Sequence, residues 1–163
     1  MSLCFLDASA WLKRYTGELG WEVVETLFEE NSARRLSVIS TAISHAEVVA
    51  ALTRFRNRTA LEDAVFDAAL RRMAEDEDGL LWLSVSDGAF WESTPLIVEH
   101  NLNATDAALL VALLDLRTRL QGVTAPLWAM TSDRRMARAA MAMGLPCIDP
   151  EAGSVREVRA LSS

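Results

Sequence analysis

Five short apolar runs alternate with longer amphipathic stretches along this chain, and that alternation limits the fold more than any other feature. The runs are "LCFL" at 3–6, "LSVIS" at 36–40, "LLWLS" at 80–84, "LWAMT" at 127–131 and "PCI" at 146–148. Each is short, apolar throughout and bounded by polar residues, the pattern of strands buried on both faces. Between them lie helical periodicities. "WEVVETLFEE" sets Val23, Val24, Leu27 and Phe28 on one stripe, and "SHAEVVAALTRFRNR" does so with Val48, Ala51, Leu52 and Phe55. "LEDAVFDAALRRMAEDED" runs through Leu61, Val65, Phe66, Ala69, Leu70 and Met73. "TDAALLVALLDLRTRLQG" stops at Gly122 and "DRRMARAAMAMG" at Gly144, each a helix-terminating glycine. In the segment 88–101, Pro95 starts a helix or kinks one. Strands alternating with helices predict an α/β fold: a three-layer α/β/α sandwich with a mostly parallel sheet of four to five strands, the strand near residue 3 central and the one near residue 80 at an edge.

With 163 residues, the chain suits one domain, expected over 1–150, with 151–163 as a polar, frayed C-terminal tail. Hydrophobic residues make up 51% and charged ones 24%, so a core is available and global disorder is excluded. The net charge of −7 argues against a surface that coats nucleic acid, but not against a local site whose field a bound cation inverts. Cys4 and Cys147 sit in apolar segments with no metal or disulfide spacing and read as free thiols in a reducing cytoplasm. No signal peptide is evident. The most apolar stretch, from Ala107, is broken by Asp115 and too short to span a bilayer, so no membrane partner is expected.

Ligands of parallel α/β sheets bind at the carboxyl ends of the strands, which directs attention to acids just beyond those ends. Asp7 follows the first run, Glu47 lies one or two turns into the helix after the second, Asp106 opens the most apolar helix, and Asp133 follows the fourth run. Each has a structural explanation. Asp7 caps the helix beginning near Ser9, Glu47 closes a capping box with Ser44, and Asp106 and Asp133 are first-turn acids. Gathered at one sheet edge, however, four bare anions repel, and a hard divalent cation held through oxygen removes the conflict.

Four motifs in order, "FLDASAWLKRY", "SHAEVVAAL", "LNATDAALLVALL" and "TSDRRMARAAMAMGL", resemble the PIN-domain ribonucleases, most nearly the VapC toxins of bacterial toxin–antitoxin pairs. The likeness runs from about residue 3 to 149, departing at Pro95 before the third acid. It implies that Asp7, Glu47, Asp106 and Asp133 form an acidic quartet binding Mg²⁺ or Mn²⁺, with Asp7 and Asp106 as direct ligands and Ser9 and Thr131 supporting them. It further implies hydrolysis of RNA to a 5′-phosphate and a 3′-hydroxyl, a small antitoxin that covers the site, and a homodimer. Lys13, Arg14, Arg134 and Arg135 flank the expected pocket and are candidate RNA-backbone contacts. His45 and His100 are expected at a helix surface and in a loop. The acid run 75–78 points in several directions and reads as a solvated helix end.

The competing functions are weaker. A dinucleotide fold needs a glycine-rich turn after the first strand, and "DASAWL" has none. An Asp-nucleophile phosphatase usually carries a second acid two residues on, where this chain has Ser9. A solitary PIN-like nuclease and a non-catalytic dimeric regulatory module remain as alternatives.

Overall fold

The computed structural model describes residues 1–121 and 125–161. Five strands, β1 (Ser2–Leu6), β2 (Leu36–Ser40), β3 (Leu81–Trp82), β4 (Leu127–Met130) and β5 (Cys147–Ile148), form one sheet in the order β3-β2-β1-β4-β5. All four pairings are parallel, with Leu3 opposite Ser37 on one side and Leu127 on the other. The expected central and edge strands are therefore where the pattern placed them.

The helices are α1 (Ala8–Trp11), α2 (Lys13–Thr16), α3 (Trp21–Ser32), α4 (Ala42–Thr59), α5 (Asp63–Glu77), α6 (Asp87–Glu92), α7 (Thr94–His100), α8 (Ala104–Arg119), α9 (Arg134–Ala142) and α10 (Val155–Leu161). They divide between two apolar layers. Cys4 and Leu6 of β1 face a cluster with Trp11, Val24, Leu27, Val48, Leu52, Met73 and Val158. Phe5, between them, faces the opposite cluster with Leu109, Leu110, Leu113, Met136 and Ala140. Period-two alternation along β1 thus feeds both cores, which is why its sequence is apolar throughout. α8 carries much of the second layer. Leu109, Leu110 and Leu113 are fully buried, each stabilising the fold by about 1.5–3 kcal/mol on burial. Among the described residues no helix is long and apolar enough to cross a membrane.

Local signals explain several boundaries. Pro95 lies in the first turn of α7, so it starts that helix rather than kinking one. Gly144, at φ +75°, ends α9 in a Schellman turn in which Leu145 N–H donates to Ala140 and Gly144 N–H to Met141. Gly122, the other expected stop, lies outside the described residues, and α8 closes at Arg119 with Leu120 as its cap.

Three expectations need correction. The segment after 150 is not a frayed tail: α10 packs on α3, buries Val158, and its Leu161 carbonyl accepts a hydrogen bond from Ser2 Oγ. Glu47 closes no capping box, because Thr41 caps α4 and accepts from Ser44 N–H, leaving Glu47 a turn further in. The acid run 75–78 is only partly solvated. Asp76 takes a bidentate contact from Arg14 and a bond from Tyr15, and Glu77 pairs with His45 Nδ1. Glu75 and Asp78 are exposed, whereas Asp76 and Glu77 between them turn toward α2 and α4.

Candidate active site

β1 and β4 lie side by side, and the chain leaves their carboxyl ends into helices on opposite faces, the switch point of an open α/β sheet. Asp7 continues β1 by one residue, its N–H donating to Met130 O at 3.0 Å, and then caps α1. Its carboxylate is only 3% exposed, and the bonds it accepts among the described residues fall on one oxygen. Oδ2 takes Ser9 N–H at 3.2 Å, Ser9 Oγ at 2.5 Å and Thr131 Oγ1 at 2.8 Å. Oδ1 takes no donor among the described residues.

Ser9 and Thr131 also bind the β4 loop. Ser132 N–H donates to Ser9 Oγ at 2.9 Å and Asp133 N–H to Thr131 Oγ1 at 3.1 Å. Both hydroxyl protons are committed to Asp7, so the 3.2 Å separation of the two hydroxyl oxygens carries no bond of its own. Residues 122 apart in sequence are thereby joined through one carboxylate oxygen.

Asp133 caps α9, its Oδ1 accepting Arg135 N–H at 2.7 Å and Met136 N–H at 3.0 Å. Asp106 sits at the third position of α8, where Asn103 Oδ1 accepts its N–H and Asn103 Nδ2 donates to its Oδ2, both at 2.8 Å. Asn103 thus caps α8 while the Asp106 carboxylate holds the capping amide in place, a pairing that Ser44 and Glu47 do not make among the described residues.

Asp106 is 7% exposed, and burial together with the charges of Asp7, Asp133 and Glu47, in that order, pushes its carboxyl up to about 7; Arg135 offsets this in part. Glu47 is half-buried and shifts upward for the same reasons, burial first and Asp7 second. The structure thus brings all four acids into one field. The donor set is anionic oxygen, suited to Mg²⁺ or Mn²⁺ rather than to a thiolate-seeking ion. In this conformation, among the described residues, no three His, Cys, Asp or Glu side chains stand close enough to share one ion. The carboxylates are a converging field, not a closed cage.

The flanking cations behave differently from one another. Arg134 and Arg135 are exposed at the start of α9, beside Asp133. Lys13 and Arg14 turn inward. Lys13 is buried against Glu151 at 2.6 Å, and Arg14 is held by Asp76 and Glu25 over the Phe28 ring. His45 lies on α4 in its pair with Glu77, and His100 ends α7 instead of lying in a loop. Sequence reasoning missed Asn103, although "NATD" carries the capping spacing, and Ser132, whose hydroxyl is buried with no partner among the described residues. A recess of about 840 Å³ lies elsewhere, among Leu83, Pro95, Leu96, Val111 and Leu114, and none of the four acids lines it.

Fold and site together define a parallel α/β sandwich with an acidic carboxyl edge. Comparison with known proteins agrees on the fold. The chain is similar to the crystal structure of PAE2754 from Pyrobaculum aerophilum, with a TM-score of 0.61 and 18% identity over 98% of this chain and 96% of that one. No family model matches the sequence. No curated protein matches it either.

Proposed function

We propose that this chain is a metal-dependent endoribonuclease, PIN-like in architecture, acting in the cytoplasm as the toxin of a toxin–antitoxin pair. One observation carries the reading: a nearly buried Asp106 held in the field of three further acids. Helix caps have no need to converge, and every added anion costs the fold free energy. Such convergence is useful where a divalent cation and a phosphodiester meet.

Asp7 and Asp106 would hold Mg²⁺ or Mn²⁺, and Glu47 and Asp133 would complete the set. When bound, the ion supplies Lewis-acid stabilisation of the scissile phosphate and lowers the pKa of the attacking water. Ser9 and Thr131 fix the Asp7 carboxylate through Oδ2, which keeps Oδ1 free for this task. Asp133, tied to the first turn of α9, presents Oδ2 while Oδ1 is used in capping. Glu47, with its raised affinity for protons, orients the water and receives its proton on the carboxylate. Arg134 and Arg135 offer exposed charge to the RNA backbone.

Incubating purified protein with an RNA pool and Mn²⁺ tests the reading. Cleavage should vanish in chelator and in Asp7→Asn. Wild-type protein that neither cuts RNA nor gains thermal stability from millimolar Mg²⁺ or Mn²⁺ overturns it. The toxin role adds a small protein antitoxin and a homodimer. Light scattering on the purified chain reads the second, and cleavage without any partner that inhibits it leaves a solitary nuclease.

A further inference from the structure

The ion pair between Lys13 and Glu151 is out of keeping with a simple tether. Lys13's side chain is 5% exposed while Glu151's is 37% exposed, and the two meet at 2.6 Å. Burying a lysine is costly, and a partner that reaches it from solvent is readily exchanged. Glu151 follows β5, at the same sheet edge as Asp7 and Asp133, and Arg134 begins α9, which packs on β5. Lys13 and, more weakly, Arg134 hold the Glu151 carboxyl below the usual carboxylate range.

The turn carrying Glu151 is fixed. Asp149 O accepts from Ala152 and Gly153 N–H, and Asp149 Oδ1 accepts from Glu151 N–H. The Pro150 carbonyl presses on Gly20, where an added Cβ would stand 2.5 Å from the oxygen. Only the Glu151 side chain is free to leave.

We infer that Glu151 occupies an anion subsite made by Lys13, standing in for a backbone phosphate of the RNA and masking Lys13 until that phosphate displaces it. This deepens the nuclease reading and rests on it for the identity of the anion. Arg14, which is locked to Asp76, takes no part.

The test uses the full chain carrying Asp7→Asn, in chelator, with a fluorescent oligouridylate as probe and salt as the variable. Glu151→Gln should bind roughly fivefold more tightly and steepen the salt dependence by about 0.7 for the one cation uncovered. Glu151→Ala, which leaves no amide against Lys13, should gain at least as much. Adding Lys13→Met should remove the gain. Asp115→Asn frees Arg119 from an equivalent 2.6 Å pair on distant α8 and should give no such gain. If both Glu151 variants bind no better than their parent, or if no variant binds at all, the inference fails. A fall in melting temperature without tighter binding marks the pair as a tether and overturns it too. Cleavage by the chain with Asp7 intact is scored separately. A chain that cleaves without the Glu151 gain loses only the subsite, and one that shows the gain without cleaving keeps the subsite and loses the nuclease.

Discussion

Asp106→Asn puts the electrostatic argument to its most direct test. The folded carboxyl titrates at about 7, against an ordinary 3.8. That gap corresponds to at most about 4 kcal/mol, reduced toward about 2 kcal/mol where solvent screens the carboxylate. Between the two pKa values the folded state keeps a proton that the unfolded chain releases. Stability from this group is therefore complete below pH about 4 and is lost as pH rises to about 7. Asparagine is close in shape, is never charged, and its amide oxygen still accepts from Asn103 Nδ2. In chelator at pH about 8 the variant should exceed wild type by roughly 2–4 kcal/mol, or about 5–10 °C in melting temperature. The advantage should shrink steadily toward pH about 4, below which wild-type Asp106 becomes protonated in both states. Urea unfolding in EDTA across that range measures the difference directly, because the other acids are common to both proteins. Saturating Mn²⁺ should reverse the order by stabilising wild type preferentially. A variant less stable than wild type by a constant amount at every pH would refute the argument and leave Asp106 as a first-turn acid complementing the dipole of α8.

Asp7→Asn should lose at least about a hundredfold in RNase rate, or about 2.7 kcal/mol of barrier, while its melting temperature in chelator stays level or rises, since an asparagine oxygen still accepts from Ser9 and Thr131. Thr131→Val leaves Asp133 N–H without its acceptor and Asp7 without one donor; calorimetry should show a loss of about 1–3 kcal/mol, and metal titration a roughly 10–100-fold weaker affinity. Arg14→Met leaves Asp76, only 10% exposed, with Tyr15 but no cation, while Glu25 keeps Arg72, and should cost about 3–5 kcal/mol in urea unfolding. Gly20→Ala combines φ +89° with the collision at Pro150 O and should lower the melting temperature, with the loss falling on the α3–α10 side of the sheet.

The five apolar runs, the central and edge strands and the buried helix α8 were legible because apolar periodicity reports burial directly. β1, β2 and β4 read as continuous apolar runs and are buried on both faces, whereas "LLWLS" reads the same way yet leaves Leu81 and Trp82 half-exposed on a two-residue edge strand. Periodicity does not state which strand lacks a neighbour. The positions of Asp7 and Asp133 past their strand ends were legible for the same reason, whereas the support from Ser9 and Thr131 was an expectation from the motif resemblance alone. Arg14 and Lys13 were not. Helical spacing fixes the face a side chain occupies, but the groups opposite come from Asp76 and Glu151, 62 and 138 residues away. The fate of the tail had the same cause. "VREVRAL" is too short and too charged to announce a core helix until Val158 is set against α3.

Placing β1 between β2 and β4 also sets the order in which the chain becomes competent. β1 is made before both of the strands that flank it, and one of its two flanks stays unpaired until Leu127–Met130 arrives. Asp7 then waits for Thr131, its donor from across the switch point, and for Asp133 beside it. Long-range parallel pairing of this kind is slow to form and vulnerable while it waits. The four acids therefore stay apart during synthesis until the segment carrying β4 and Asp133 has emerged, and only then can they meet. A chain stopped after Ala125 should show no cooperative unfolding transition and no metal-induced stabilisation.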